Sequence, residues 1–256
     1  MQRFVILMYH MVSEPETAAE EKYACPPRQF EKHIQMLLNE GFKPISIETV
    51  ESYYSQNNPI PDKSFLITLD DGFEDNYNNA YPILQRYKIP AVIYLATGLL
   101  GKTNQWMSAP AFSERKMLSW RQIQEMASQG IHFGSHTVSH PKLTELDDES
   151  VHIELIQSKK MIEDQLGLEC RHFAYPYGLL TEKTRELVQQ AGFKTACSTR
   201  SGFNNAERDP FMLHRIEVYG SDSTWKLKQK IMFGINDASL FFPLKYYSAR
   251  LLARFG

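Results

Sequence analysis

The sequence lacks the features of secreted, disulfide-bonded and membrane-spanning proteins. Its three cysteines, Cys25, Cys170 and Cys197, stand far apart among 256 residues, so neither a disulfide framework nor a thiolate zinc site is predicted. No run approaches the roughly 20 apolar residues that span a bilayer, and the run from Phe4 to Met8 is too short for a signal-peptide core. We therefore expect reduced, partly buried thiols and a cytoplasmic location.

An excess of one charge is also absent. Lysine and arginine number 28 against 30 aspartates and glutamates, and the isoelectric point is near 6.5. Binding to nucleic acid phosphates requires concentrated positive charge, so nucleic acid is not an expected partner. Apolar residues make up 43% of the chain, which is enough for one large domain with a sizeable core.

Short apolar runs alternate with segments of helical spacing along most of the chain. The runs that predict buried strands are Phe4–Met8, Phe65–Ile67, Ala91–Leu95, Ile131–Phe133, His172–Ala174, Lys194–Cys197 and Ile216–Tyr219. Seven strands separated by helices favour a parallel sheet, either doubly wound or closed into a barrel. Periodicity alone leaves these two forms open.

Helix ends and one long loop complete this outline. Asp147 or Asp148 is expected to cap a helix that stops at Gly167, and Thr181 is expected to open a helix that stops at Gly192. The polar, irregular stretch 98–117 follows a predicted strand, and we expect it to be a surface loop that covers a site.

Two adjacent carboxylates, Asp70 and Asp71, directly follow the second predicted strand. Burial of such a pair is costly without a cationic partner, and the carboxyl ends of parallel strands are where α/β enzymes place reacting groups. The dipeptide Asp71-Gly72 alone would fit an ordinary solvated turn equally well.

The sequence Gly134-Ser-His-Thr-Val-Ser-His140 follows another predicted strand. Two histidines four residues apart converge on one side if the chain enters a helical turn, as in many metal sites. Either histidine alone would more often be structural. Together with the two aspartates, they supply a mixed nitrogen and oxygen donor set for a catalytic metal.

Two later segments carry weaker signals. The stretch Arg171–Gly178 runs from a strand into a Pro-Tyr-Gly turn, which can direct backbone N–H groups at a ligand. His214 and Arg215 place an imidazole and a guanidinium in a late strand. A plain turn and an edge strand would explain both segments.

These motifs resemble, in order and spacing, those of the polysaccharide deacetylases of carbohydrate esterase family 4, also called the NodB-homology domain. Thr68–Gly72 is similar to the first family motif, His136–His140 to the second and Phe173–Gly178 to a variant of the third. His10 and Trp120 also stand where many members carry such residues. The likeness extends from the first strand to about Val218.

The resemblance implies an α/β fold, a distorted and incomplete (β/α)7 barrel. It also implies one divalent metal ion held by Asp71, His136 and His140; zinc is the first expectation, and cobalt, nickel, iron or manganese would also fit the ligands. Asp70 would act as the general base on a water made more acidic by the metal. The backbone N–H of Tyr177 would stabilise the oxyanion.

The sequence departs from the family at the residue that holds the base. Many members have an arginine where this chain has Ala174, and Arg215 is the candidate replacement. The resemblance makes His214 the candidate proton donor to the leaving amine. The residues expected to contact the substrate are His10, Trp120, Tyr175 and Leu213.

The expected activity is removal of an acetyl group from an N-acetylated sugar of a cell-surface or lipid-linked glycan. Trp106, Trp120, Trp225 and Tyr177 are candidates for stacking on sugar rings, although core packing is the commoner role of aromatics. Two alternatives stay open: hydrolysis of formamides or small cyclic amides on the same fold, and a non-catalytic carbohydrate-binding protein.

The chain divides into a barrel domain over residues 1–238 and a basic tail over 239–256. From Phe241 to Gly256 the tail carries Lys245, Arg250 and Arg254 and no acidic residue. An amphipathic helix there would either lie on an anionic membrane surface, at the inner face of the membrane, or pack on the domain.

Overall fold

The computed structural model describes residues 2–107 and 111–239. Its strands are β1 (Phe4–Tyr9), β2 (Lys43–Pro44), β3 (Ser64–Leu69), β4 (Ala91–Leu95), β5 (His132–Ser135), β6 (His172–Ala174), β7 (Thr195–Cys197) and β8 (Ile216–Glu217). All seven predicted strands are present. The short β2 was missed because a Lys-Pro pair has no apolar pattern to reveal it.

Within the described residues, seven α-helices connect or flank the strands. They are α1 (Pro27–Asn39), α2 (Ile47–Gln56), α3 (Tyr81–Tyr87), α4 (Trp120–Ser128), α5 (Asp148–Leu166), α6 (Glu182–Gln190) and α7 (Thr224–Phe233). Asp147 and Thr181 accept hydrogen bonds from the first turns of α5 and α6 as predicted, and Gly167 ends α5 in a left-handed conformation. None of the helices within the described ranges is long and apolar enough to cross a membrane.

All strand pairs in the sheet are parallel, in the order β7-β6-β5-β4-β3-β1-β8, with β2 paired to β3. The sheet curls, since a parallel bridge between Cys197 and Leu213 links β7 to the segment just before β8. The predicted incomplete (β/α)7 barrel is therefore confirmed.

Both faces of β1, β3, β4, β6 and β7 are buried. Phe4, Ile6, Leu66, Val92 and Tyr94 belong to the cluster inside the curled sheet, whereas their neighbours along the strands pack on the helices. This burial explains why the strands read as continuous apolar runs without alternation. The three cysteines are free and buried, as predicted.

One buried ion pair fastens two loops above the carboxyl ends of the strands. Arg115 lies in the long loop 98–117, and its Nη2 donates to Glu20 Oε2 at 2.5 Å. Glu20, in a short 3-10 turn (Glu20–Lys22), is fully buried and also accepts from the Ser113 N–H at 3.0 Å. The pair joins the loops into one rim.

Glu20→Gln should lower the free energy of unfolding by about 2 kcal/mol, because it removes the buried one of the two carboxylates, Glu20 and the exposed Glu16, that contact Arg115. Glu31→Gln is the matched control, since its pair with Arg86 is exposed and should contribute less than about 1 kcal/mol. Urea denaturation measures both. Equal losses in the two variants would contradict this account of the rim.

Candidate active site

The clearest group of functional side chains lies just past the carboxyl ends of β3 and β5. Asp71 Oδ1 is 3.4 Å from His136 Nε2 and 3.3 Å from His140 Nε2. All three residues are buried, and their ligand atoms lie within 4.8 Å of one another. One carboxylate and two imidazoles fit a divalent transition metal and leave positions for water and substrate.

Asp71 is presented by a tight turn at the end of β3. Its φ is 74°, and the Gly72 N–H donates to the Asp70 carbonyl at 3.0 Å, which closes a three-residue γ-turn. The Asp71 carbonyl accepts from the Ala96 N–H, which follows β4, at 3.3 Å. Such strained backbone is commonly found at functional sites.

The two histidines converge through a loop and not through a helical turn. Thr137 and His140 both have positive φ, 70° and 59°, and Thr137 Oγ1 accepts from the His140 N–H at 3.0 Å. Glu154 of α5 accepts from the N–H groups of residues 138 and 139 at 2.7 and 3.0 Å. A carboxylate from a neighbouring helix thus satisfies backbone groups that a helical turn would have used.

The first histidine is held as a neutral ligand. His136 Nδ1 donates to the Ala174 carbonyl oxygen at 2.7 Å, which leaves Nε2 facing Asp71 as an acceptor. Burial lowers the pKa of His136 to about 4. Burial alone would raise the pKa of Asp71, but its hydrogen bond with His140 lowers it instead.

The second histidine is held by packing. His140 Nδ1 is buried and has no hydrogen-bond partner among residues 2–107 and 111–239. Its ring instead contacts Trp106 at 5.1 Å and Tyr177 at 4.7 Å between centroids. The two aromatic side chains fix the orientation of this ligand.

Asp70 pairs with Arg215 through two parallel hydrogen bonds, Nη1 to Oδ1 at 2.6 Å and Nη2 to Oδ2 at 2.7 Å. Arg215 is fully buried, and its Nε donates to the Ser198 carbonyl at 2.9 Å. Burial would raise the pKa of Asp70, but the charge of Arg215 outweighs it and lowers the pKa. The structure thus places the predicted replacement cation beside the predicted base.

These groups open into a cavity of about 420 Å³. The predicted site residues His10, Tyr175 and Tyr177 line it together with both aspartates and both histidine ligands. Trp106 and Phe112 reach it from loop 98–117, so the expected covering role of this loop is supported. The cavity is also lined by Met8, Met11, Lys22, Tyr23, Phe73, Met107, Thr199 and Glu217.

Three predicted site residues lie elsewhere. Trp120 begins α4 and packs on the core between sheet and helices, and Leu213 is buried inside the barrel. His214 packs beside Gly202, and its backbone is bracketed by the Asn204 side chain. Burial, with help from nearby arginines, lowers the pKa of His214 to about 4. The structure gives no support for its role as proton donor.

Part of the cavity wall was not predicted from the sequence. Lys22 and Glu217 form an ion pair of 3.2 Å there, and Tyr23 contacts the rings of His10 and Phe112. Lys22 and Tyr23 lie in a polar stretch with no motif. Their contribution depends on how the loops fold together, and no local pattern reports that.

Comparison with known proteins agrees with this geometry. The sequence profile described as polysaccharide deacetylase matches residues 57–196, more than half of the chain. A poly-beta-1,6-N-acetyl-D-glucosamine N-deacetylase of Staphylococcus aureus is 28% identical over 207 residues, which cover 77% of this chain and 69% of the relative.

Two solved structures share the whole arrangement of the fold. The deacetylase PplD of Streptococcus pyogenes, in complex with acetate, aligns with a TM-score of 0.77 and 30% identity over 90% of this chain and 98% of its own. IcaB of Ammonifex degensii aligns with a TM-score of 0.71 and 28% identity over 85% and 92%. The chain therefore belongs to the polysaccharide deacetylase family, and the predicted metal-dependent carbohydrate N-deacetylase is confirmed.

Proposed function

We propose that this cavity removes the acetyl group from an N-acetylated sugar of a cell-surface or lipid-linked glycan. The observation that carries the proposal is the juxtaposition in one cavity of a three-residue ligand set with an ionised aspartate outside that set. The named S. aureus relative acts on poly-β-1,6-N-acetylglucosamine, and PplD was solved with acetate, the expected product.

Asp71, His136 and His140 would hold the metal ion, with zinc as the first candidate. The bound ion would supply Lewis acidity, which makes a water more acidic and polarises the acyl oxygen. Cobalt, nickel, iron and manganese accept the same donors. The assignment of these three residues as ligands is supported by the chemistry of their donor atoms and does not depend on which ion is bound.

Asp70 would be the general base. Its carboxylate is kept ionised by Arg215 and is oriented by two hydrogen bonds, so it can take a proton from the attacking water as the new C–O bond forms. A carboxylate offers about four lone-pair positions, and Arg215 uses only two of them. Arg215 is then a positioning residue.

The backbone N–H of Tyr177 would stabilise the negative charge on the acyl oxygen. Tyr177 lines the cavity and has a φ of 59° within a short 3-10 turn, Pro176–Gly178. A backbone donor fixed by such a turn requires little reorganisation during the reaction.

Breaking the C–N bond requires a proton on the leaving amine, and His10 is the proposed donor. His10 lines the same cavity as Asp70 and Asp71. Asn76 fixes its backbone, since Asn76 Nδ2 donates to the His10 carbonyl at 2.9 Å. His10 thus takes the role that the sequence suggested for His214.

The aromatic wall would bind the sugar. Tyr23, Trp106, Phe112 and Tyr177 bring four aromatic side chains into contact with a cavity whose floor is charged. Aromatic faces bury the apolar faces of pyranose rings while the rim remains polar. Trp120 and Trp225 lie outside this wall.

Removal of divalent ions with dipicolinate should abolish acetate release from β-1,6-linked N-acetylglucosamine oligomers, and added zinc or cobalt should restore it. Asp71→Asn should lose both bound metal and activity, whereas Asp70→Asn should keep the metal and lose about 10²–10⁴-fold in kcat. Asp164→Asn, at an exposed ion pair, is the control. Chelator-resistant release would contradict the proposal.

His10→Ala should lower kcat on the oligomers by about 10²-fold or more, while His214→Ala should stay near the wild type. The defect of His10→Ala should shrink on 4-nitrophenyl acetate, because nitrophenolate leaves without needing a proton. Steady-state kinetics on both substrates measures this. A defect of equal size on the ester would rule out proton donation by His10.

Arg215→Lys keeps a positive charge but loses the two-pronged contact with Asp70. We expect kcat to fall by about tenfold or more with KM nearly unchanged, because Arg215 is buried behind the base and does not line the cavity. Metal content and the melting temperature serve as controls. An unchanged kcat would show that orientation of Asp70 is unimportant.

A further inference from the structure

The loop that carries the two histidine ligands, residues 136–140, is held through its carbonyl groups by the turn after β4. The Thr97 N–H donates to the Thr137 carbonyl at 3.0 Å, and the Gly98 N–H donates to the Val138 carbonyl at 2.8 Å. A side chain at Gly98 would collide with the loop, since a Cβ placed there lies 2.9 Å from the Val138 carbonyl oxygen. The two segments are therefore packed backbone against backbone.

Glu154 of α5 holds the same loop through its N–H groups. Its Oε2 accepts from the Val138 and Ser139 N–H groups at 2.7 and 3.0 Å, and its Oε1 accepts from the Ser139 hydroxyl at 2.6 Å. Hydrogen bonds to an ionised acceptor are about twice as strong as neutral ones. This carboxylate is therefore a strong anchor for a loop that has no regular secondary structure.

Helix α5 gives Glu154 a rigid base. Leu155 and Ile162 of the helix are buried in the core. The hydroxyl oxygens of Ser158 and Ser135 are both buried and lie 2.7 Å apart in a hydrogen bond. Because Ser135 ends β5, this bond fastens the helix to the strand that leads into the loop.

The loop needs such anchors because its backbone is strained. Thr137 and His140, which flank the two N–H groups that Glu154 binds, have φ of 70° and 59°. Non-glycine residues keep a positive φ only where the surrounding structure enforces it. His140 Nδ1 has no hydrogen-bond partner within the described residues, so its ring is placed by its backbone and its aromatic contacts alone.

We propose that Glu154 is a positioning residue for the metal site, which it serves without being a ligand. By fixing the N–H groups of residues 138 and 139, it holds His140 Nε2 at 3.3 Å from Asp71 Oδ1. The loop then does not have to be ordered when an ion binds, so the affinity for the ion is higher. The inference rests on the proposed function, because it takes over the ligand set of that function.

Glu154→Ala should bind zinc about 10–100-fold more weakly than the wild type, as measured by competition with a chromophoric chelator. The visible absorption spectrum of the cobalt-loaded variant should also change, because that spectrum reports the arrangement of the ligands. Glu154→Gln should restore zinc affinity to within about threefold of the wild type, since its amide oxygen can accept from both N–H groups and its amide nitrogen can donate to the Ser139 hydroxyl.

Glu163→Ala is the matched control, because Glu163 lies on the same helix and also accepts from a backbone N–H, that of Cys170, at 3.0 Å. It pairs with Lys159 at 2.8 Å, so its loss should lower the melting temperature. Its zinc affinity should stay within about twofold of the wild type, since it shares no partner with the ligand loop. Equal losses of zinc affinity in the two alanine variants, or an unchanged affinity in Glu154→Ala, would overturn the inference.

Glu154→Asp takes the place of the alanine variant if that variant does not fold. Its carboxylate keeps the charge but stands one methylene further from the loop, so it cannot reach both N–H groups and zinc affinity should again fall. Full zinc affinity in Glu154→Asp would overturn the inference. Failure of both variants to fold would do so too, because Glu154 would then act on the fold as a whole.

Asp71→Asn and acetate release by the wild-type protein, measured in parallel, separate the two proposals. Zinc binding that is unchanged in Asp71→Asn would overturn the ligand set and with it both proposals. Zinc binding that is lost in Asp71→Asn but kept in Glu154→Ala would overturn only the role of Glu154. Loss of zinc affinity in both variants, without acetate release from any N-acetylated sugar, would overturn the proposed function and leave the role of Glu154 standing.

Discussion

The buried pair of Asp70 and Arg215 is the interaction on which the rest of this structure depends. Arg215 contacts Thr68 and Asp70 at the end of β3 and the Ser198 carbonyl after β7, while it stands itself just before β8. One guanidinium therefore joins three parts of the barrel wall. Either charge alone would be unfavourable at this depth, so the pair both links these parts of the incomplete barrel and orients the base.

Much of the fold could be predicted because its signals are local. Strands buried on both faces, such as β1, β3 and β4, left continuous apolar runs, and the aspartates and histidines stood directly after two of the seven predicted strands. Carboxyl ends of parallel strands share one edge, so adjacency in space followed from topology. The loop that joins His136 to His140 could not be predicted, since it is held by Glu154 from a helix that comes later in the chain.

The structure does not support His214 as the proton donor, and the extended backbone around it explains why. Leu213 and Arg215 are fully buried while His214, between them, is not. Successive side chains of an extended segment point to opposite sides, so the inward position of Arg215 directs His214 away from the cavity. Trp120 and Trp106 also differ in their surroundings. Trp120 is on an amphipathic helix, whereas Trp106 is on a loop, and composition alone could not distinguish their roles.

The order of the strands has a consequence for biosynthesis. β1, the first strand to be synthesised, lies between β3 and β8. Arg215, the partner of Asp70, lies 145 positions after Asp70 in the chain. A ribosome must therefore release most of the polypeptide before the hydrolytic centre can assemble, because contacts between such distant residues form late. A partly synthesised chain that has not reached Arg215 therefore lacks the ion pair that orients the base.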